Sequence, residues 1–163
     1  MTNGTVQKKV NNHLFMQEIT RMFGEQGKKS VTFVVRGFSM RPFLEDGRDK
    51  VILVPPREPK VGDVVLAEVR EQTYALHRVI KIKDGVYTMR GDGNPLRMTE
   101  EFTYDKIIGL AEAFIRKSKR VSVDSCKWRC YSACWSALKP LRRIILAIYR
   151  RVYPRIVKRQ ATN

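Results

Sequence analysis

The chain has 163 residues and a net charge of +16, with 29% charged and 43% hydrophobic residues, a balance that suits one globular domain with a core and an appendage. The charge is uneven: residues 116–163 hold 14 Lys and Arg against one acid, Asp124, so this end carries +13 and the rest of the chain only +3. A uniformly basic nucleic-acid binder is thereby disfavoured, and a nearly neutral body with a cationic arm is expected.

Val6 to Phe23 reads as an amphipathic helix, with Val10, Leu14, Ile19, Met22 and Phe23 at roughly helical spacing and Gly24 and Gly27 beyond its end. Met1 to Lys9 is polar and no apolar run follows, so no secretory signal is expected. No later segment approaches the roughly 20 apolar residues of a spanning helix. His13 falls in the first helix, where a surface or packing role is expected. Val31 to Val35 has the β-branched and aromatic make-up of a half-buried strand. It leads into Arg36-Gly37-Phe38-Ser39-Met40-Arg41-Pro42, where Gly37 lets the chain turn and Pro42 keeps the turn from rejoining the sheet. Ser39 thus sits at a rigid strand end. It reads as a nucleophile or as a turn serine that bonds its own backbone.

Lys50 to Val54 is a strand closed by Pro55-Pro56, and Val61-Gly62-Asp63 is a turn into a strand from Val64 to Val69. After a reversal at Glu71-Gln72, alternation along Tyr74 to Ile82 sets Leu76, Ile80 and Ile82 on one face and Ala75, His77 and Val79 on the other. Asp84-Gly85 is a hairpin signal, so Val86 to Arg90 should return beside the His77 strand and bring Gly91-Asp92 close to it. Asp92 reads as an acid that orients His77 or as a turn former in Gly91-Asp92-Gly93-Asn94-Pro95. Ile107 to Ile115 is a last strand. The expected body is mainly β, a partly open barrel of short coiled antiparallel strands with a helix in front and a basic helical tail behind.

The tail divides at Pro140. Before it, Trp128, Tyr131 and Trp135 share a helix face with each other. Cys126, Cys130 and Cys134, spaced Cys-x3-Cys-x3-Cys, also fall near one face, unlike a zinc knuckle, and are expected as reduced, buried thiols with S-acylation second. After Pro140, Leu141, Ile144, Ile145, Ile148 and Val152 form an apolar stripe flanked by Arg142, Arg143, Arg150 and Arg151. That pattern suits either the headgroup region of an anionic leaflet, through residues 126–159, or a helix packed on its own domain. Nucleic acid is the less favoured partner.

A serine hydroxyl needs a base to take its proton, and an imidazole held by a carboxylate does so near neutral pH. Ser39, His77 and Asp92 supply these three residue types. The elements Gly37-Phe38-Ser39-Met40-Arg41-Pro42, Asp46-Gly47-Arg48-Asp49, Val61-Gly62-Asp63-Val64-Val65, His77-Arg78-Val79 and Gly91-Asp92-Gly93-Asn94 occur in one order over about residues 31–110. In that order they resemble the superfamily of serine peptidases that includes signal peptidase I and the self-cleaving SOS and phage repressors, in its histidine-base form. The resemblance implies a serine endopeptidase with Ser39 as nucleophile, His77 as base and Asp92 as its orienting acid, with no metal or cofactor and a peptide substrate. It divides the chain into a helix at 1–30, a peptidase domain at 31–116 and a basic amphipathic tail at 117–163. Where other members place an oxyanion-hole hydroxyl two residues before the serine, this chain has Gly37, so backbone N–H groups would take that role. The expected location is cytoplasmic, at most peripheral to the inner face of a membrane. The alternatives are an idle β-domain that binds membrane or nucleic acid through its tail, and a self-cleaving repressor-like regulator. Few residues precede the first strand for a DNA-binding domain, and residue 77 is not lysine.

Overall fold

The computed structural model describes residues 12–138 and 141–161. Helix α1 (Asn12–Gly24) precedes eight strands: β1 (Val31–Val34), β2 (Lys50–Val54), β3 (Val64–Arg70), β4 (Thr73–Lys83), β5 (Val86–Arg90), β6 (Glu100–Phe102), β7 (Ile107–Arg116) and β8 (Lys119–Ser122). Helices α2 (Cys126–Ala137) and α3 (Arg142–Ala161) follow. The start of the expected first helix, before residue 12, lies outside the described residues.

The strands form one antiparallel sheet in the order β1-β2-β7-β3-β4-β5-β6, with β8 added to β7. The mainly β body with a helix before it and helices after it is therefore as expected. Strand β7 is the hub because its run Ile107-Ile108-Gly109-Leu110-Ala111 is apolar at successive positions and buried on both faces. Register shifts at Ile52/Leu53, Leu66/Ala67 and Val79/Lys81 coil the strands and let β7 pair β3 with one half and β2 and β8 with the other.

Alternation, stepped at these register shifts, sends side chains to two cores. One joins α1 through Met16 and Ile19 to Phe43, Leu44, Val51, Leu53, Phe114 and Trp128. The other gathers Val65, Ala67, Val79, Tyr87, Met89, Phe102 and Leu110. Each large apolar side chain buried here contributes about 1.5–3 kcal/mol. The first core crosses the boundary drawn at residue 116: β8 pairs β7 as Arg116↔Lys119, and the Trp128 ring lies 4.6 Å from Phe114 and 4.7 Å from Phe43. Residues 117–138 thus complete the β body and do not trail from it. Helix α2 begins with Ser125, whose hydroxyl accepts from the Trp128 N–H as an N-cap.

Trp128, Tyr131 and Trp135 take the inward face of α2, which leaves Cys126, Cys130 and Cys134 outward. The expected burial of the three thiols is corrected accordingly: all three are exposed. Cys126 and Cys130 do share a face, with sulfurs 3.7 Å apart. No trio of His, Cys, Asp or Glu among the described residues is arranged to hold a metal ion.

Candidate active site

Ser39 is held from both sides. The chain leaves β1, turns at Gly37 with φ +89°, a conformation that favours glycine, and then drives Met40, Phe43 and Leu44 into the first core. Acidic side chains staple the same loop. Asp46 accepts from the Gly37 N–H at 2.9 Å, and Glu45 pairs with Arg41 at 2.8 Å and bonds the Tyr149 hydroxyl. The fully buried Asp49 accepts from the Glu45 N–H and holds Arg48 in a two-bond fork. Although burial works against its charge, the Arg48 fork and the backbone donors keep the Asp49 carboxyl below the usual carboxylate range.

Gly91 and Gly93 close the other side. The Gly93 N–H donates to the Ser39 carbonyl at 2.6 Å. A Cβ on Gly91 would fall on that same carbonyl oxygen and 2.9 Å from Ser39 Cβ, so only glycine admits the loop. The β4–β5 register ends with Arg78 paired to Arg90; carried one residue further, it would bring Gly91 level with His77. Cross-strand partners present the same face. The face of Gly91 that Ser39 covers is therefore the face from which the His77 side chain projects.

His77 is buried, 5% exposed, at the edge of the second core. Its Nδ1 lies 3.0 Å from Glu100 Oε2. Glu100 stands opposite Met89 in the β5–β6 pairing and so shares the face of Gly91 and His77. With Nδ1 engaged, Nε2 is the ring nitrogen left for a proton transfer. Among the described residues no hydrogen bond joins Ser39 to His77, and the N–H groups of Ser39 and Met40 have no acceptor. Two adjacent N–H groups of this kind are chemically able to donate to an oxyanion.

Asp92 is in a different place from the one expected. Gly91 and His77 face one side, so the next residues, Asp92 and Arg78, face the other. There the Asp92 carboxylate meets Arg78 in a fork, 3.0 Å to Nε and 2.7 Å to Nη2. It also accepts from Tyr131 at 3.1 Å and from Arg142 at 3.4 Å, while its backbone carbonyl accepts from the Trp135 indole. The role of acid beside His77 belongs to Glu100 in this geometry, and Asp92 instead bolts α2 and α3 to the sheet. Burial opposes the Arg78 charge, yet the Asp92 fork outweighs it and raises the guanidinium above its ordinary pKa; burial first, then the Asp92 charge, pushes the Tyr131 phenol up.

Sequence reasoning missed Glu100 because β6 has three residues, too few for an alternation to show. The role of Arg78 had no local signal, because its partners Asp92 and Ser132 lie 14 and 54 residues away. His13 keeps its expected packing role, with Nδ1 2.6 Å from the Tyr74 hydroxyl. No protein-family model matches the chain, and no curated protein matches it.

Proposed function

We propose that this chain is a serine endopeptidase of the signal-peptidase-like kind, with Ser39 as nucleophile and His77 as general base. Ser39 Oγ attacks the peptide carbonyl carbon while His77 Nε2 takes the hydroxyl proton. The carbonyl oxygen gains the negative charge and rests against the Ser39 and Met40 N–H groups. Collapse breaks the C–N bond, and the imidazolium returns its proton to the leaving amine, which leaves an acyl ester on Ser39. Water then repeats the sequence, giving its proton to Nε2, and the ester breaks to free acid and serine. Glu100 orients the ring and faces the imidazolium as it forms. The observation that supports this reading is the seating of Ser39 on Gly91, one residue past the Arg78↔Arg90 pair of the His77 strand.

A fluorophosphonate probe, which captures activated serines, should label the wild-type chain and fail on Ser39→Ala and His77→Ala. Peptide hydrolysis should fall about 10⁴- to 10⁶-fold in each, and little further in the double variant, because the two groups act as a unit. Labelling of Ser39→Ala at the wild-type rate would refute the assignment, and absence of labelling in the wild type would favour an idle β-domain.

The outward face of α3 supports an anionic bilayer as the place of action. Arg142, Leu146 and Tyr149 turn inward, while Leu141, Ile144, Ile148 and Val152 are 49, 59, 58 and 43% exposed, with Arg143 and Arg151 exposed beside them. Arginines that frame an aliphatic stripe match a headgroup layer in charge and polarity. No helix among the described residues is long and apolar enough to cross a membrane. Phe38, next to Ser39, is 58% exposed, with the Arg41 guanidinium 4.1 Å from its ring and 5.6 Å from that of Tyr153 in α3. Vesicles with anionic lipid should bind the full chain in a salt-sensitive way, and Ile144→Asp with Ile148→Asp should weaken binding at least tenfold without a change in melting temperature. Unaltered binding by the double variant, dimerisation through this face or retention on DNA alone would each overturn the bilayer reading.

A further inference from the structure

The sheet face opposite His77 contains an unusual charge balance. Arg78, Arg90 and Arg142 are 5, 8 and 5% exposed and line one cavity of about 80 Å³ together with Gly62, Asp92 and Trp135. Among the described residues that line it Asp92 is the only carboxylate, so three guanidiniums share one negative charge. A carboxylate has about four acceptor positions. Those of Asp92 are all used, two by the Arg78 fork, one by Tyr131 and one by Arg142. Arg78 gives the two N–H groups of Nη1 to the Gly62 carbonyl and the Ser132 hydroxyl, and Arg90 Nη1 donates to the Leu96 carbonyl. Arg90 Nε and Arg142 Nε are buried and have no acceptor among the described residues.

Ring faces soften this cost only in part. Arg78 lies 4.7 Å from the Trp128 ring and Arg142 4.8 Å from Trp135. Burial lowers both the Arg90 and the Arg142 guanidinium below the ordinary pKa against the opposing pull of Asp92, and arginine stays charged nonetheless. A buried excess of two positive charges is costly unless an anion balances it.

We propose that this cavity is a binding site for a small tetrahedral oxyanion of the phosphate or sulfate class, held by the free Nε–H donors of Arg90 and Arg142. The volume exceeds that of a single water and is too small for a peptide or nucleotide. The position gives the ion a task. Asp92 lies between Gly91 and Gly93, the two residues that seat Ser39, and Arg142 begins α3. An anion here ties β4, β5 and α3 around the segment on which the serine rests. The inference stands apart from the peptidase reading, since the site is made of other residues and needs no catalysis.

The test is phosphate or sulfate titration of the full chain at constant ionic strength, followed by thermal unfolding. At a hundredfold excess over Kd the folding constant should rise about 100-fold, a shift of roughly 5–10 °C in melting temperature that saturates. Arg90→Met and Arg142→Met should each abolish the response, and Arg142→Lys should weaken it at least tenfold because the planar fork is lost. Arg116→Met, which removes another buried Nε without a partner but away from this cavity, should keep it. Glycerol phosphate, run in parallel, separates sources: a response to inorganic phosphate alone supports a free ion, and an equal response to both supports an ester such as a headgroup end. If the arginine variants do not fold, calorimetric titration of the wild type with inorganic phosphate decides. No saturable heat or melting shift, or the same shift in Arg90→Met and Arg142→Met, would overturn the site.

Discussion

His77 and Arg78 are neighbours on β4, and each meets one carboxylate, but the two pairs are built for opposite ends. On one face the His77 ring touches Glu100, whose side chain is 23% exposed and which comes from the short edge strand β6. On the other, Arg78 grips Asp92, 1% exposed, inside a shell of aromatic rings from α2. Among the described residues the first pair keeps one ring nitrogen and one carboxylate oxygen without a hydrogen bond, an arrangement compatible with proton transfer. In the second every acceptor position is filled, which suits a joint between helices and sheet and leaves nothing for chemistry. A carboxylate near a histidine in the sequence is therefore not yet its partner; the pleat decides which face each one reaches.

The widest test of this contrast is to remove the helices that seal the second pair. A chain cut after Lys117 loses β8, the Trp128 ring from the first core, and the Tyr131, Trp135 and Arg142 contacts to Asp92. It should fail to fold, with a flat thermal transition and dye binding typical of exposed apolar surface. A cooperative transition near that of the full chain would show that the β body stands without its tail, as the boundary at residue 116 implied.

Asp92→Asn is the narrower form of the same test. It preserves shape and removes the one negative charge among Arg78, Arg90 and Arg142, and breaking a buried pair from one side costs about 3–5 kcal/mol. Denaturant unfolding should show a loss of that size, with activity recovered wherever the variant remains folded and the seat of Ser39 persists. A loss below about 1 kcal/mol would mean that the guanidiniums are balanced by something other than Asp92.

Much of the architecture was legible in the chain. The strands at Lys50–Val54, closed by Pro55-Pro56, and Val86–Arg90, after the Asp84-Gly85 signal, fall where they were expected, and that turn carries φ of +50° and +75°, the left-handed pair that the dipeptide signals. Strand β8 was not legible for the same physical reason: its hairpin turns at Lys117 and Ser118, with φ of +46° and +64°, and neither residue type announces such a turn. The stripe from Leu141 to Val152 was seen, but not that Leu146 and Tyr149, lying between its members, would be the packing face. That choice depends on Glu45 and the Ser39 loop, about a hundred residues away, and no local pattern contains it. For the site, the loop around Ser39 and the His77 strand could be read from local motifs. The assignment of carboxylates could not, because it required the register of three strands at once.

Glu100→Gln sharpens the comparison from the His77 side and should have the smallest effect of the three. The amide keeps the length and can still accept from Nδ1–H, so the ring should hold its orientation; what disappears is the charge facing the imidazolium. Turnover should fall about 10- to 100-fold, equivalent to roughly 1.4–2.7 kcal/mol of barrier, with KM little changed because the carboxylate acts only as the ring charges. Glu100→Ala should fall further, since the acceptor is then gone as well. Stability should move by less than about 1 kcal/mol in both, as the side chain is partly in water. This split, rate lost and stability kept, is the reverse of the pattern for Asp92→Asn. Wild-type turnover in Glu100→Ala would remove Glu100 from the mechanism and leave His77 without an orienting acid on its face of the sheet.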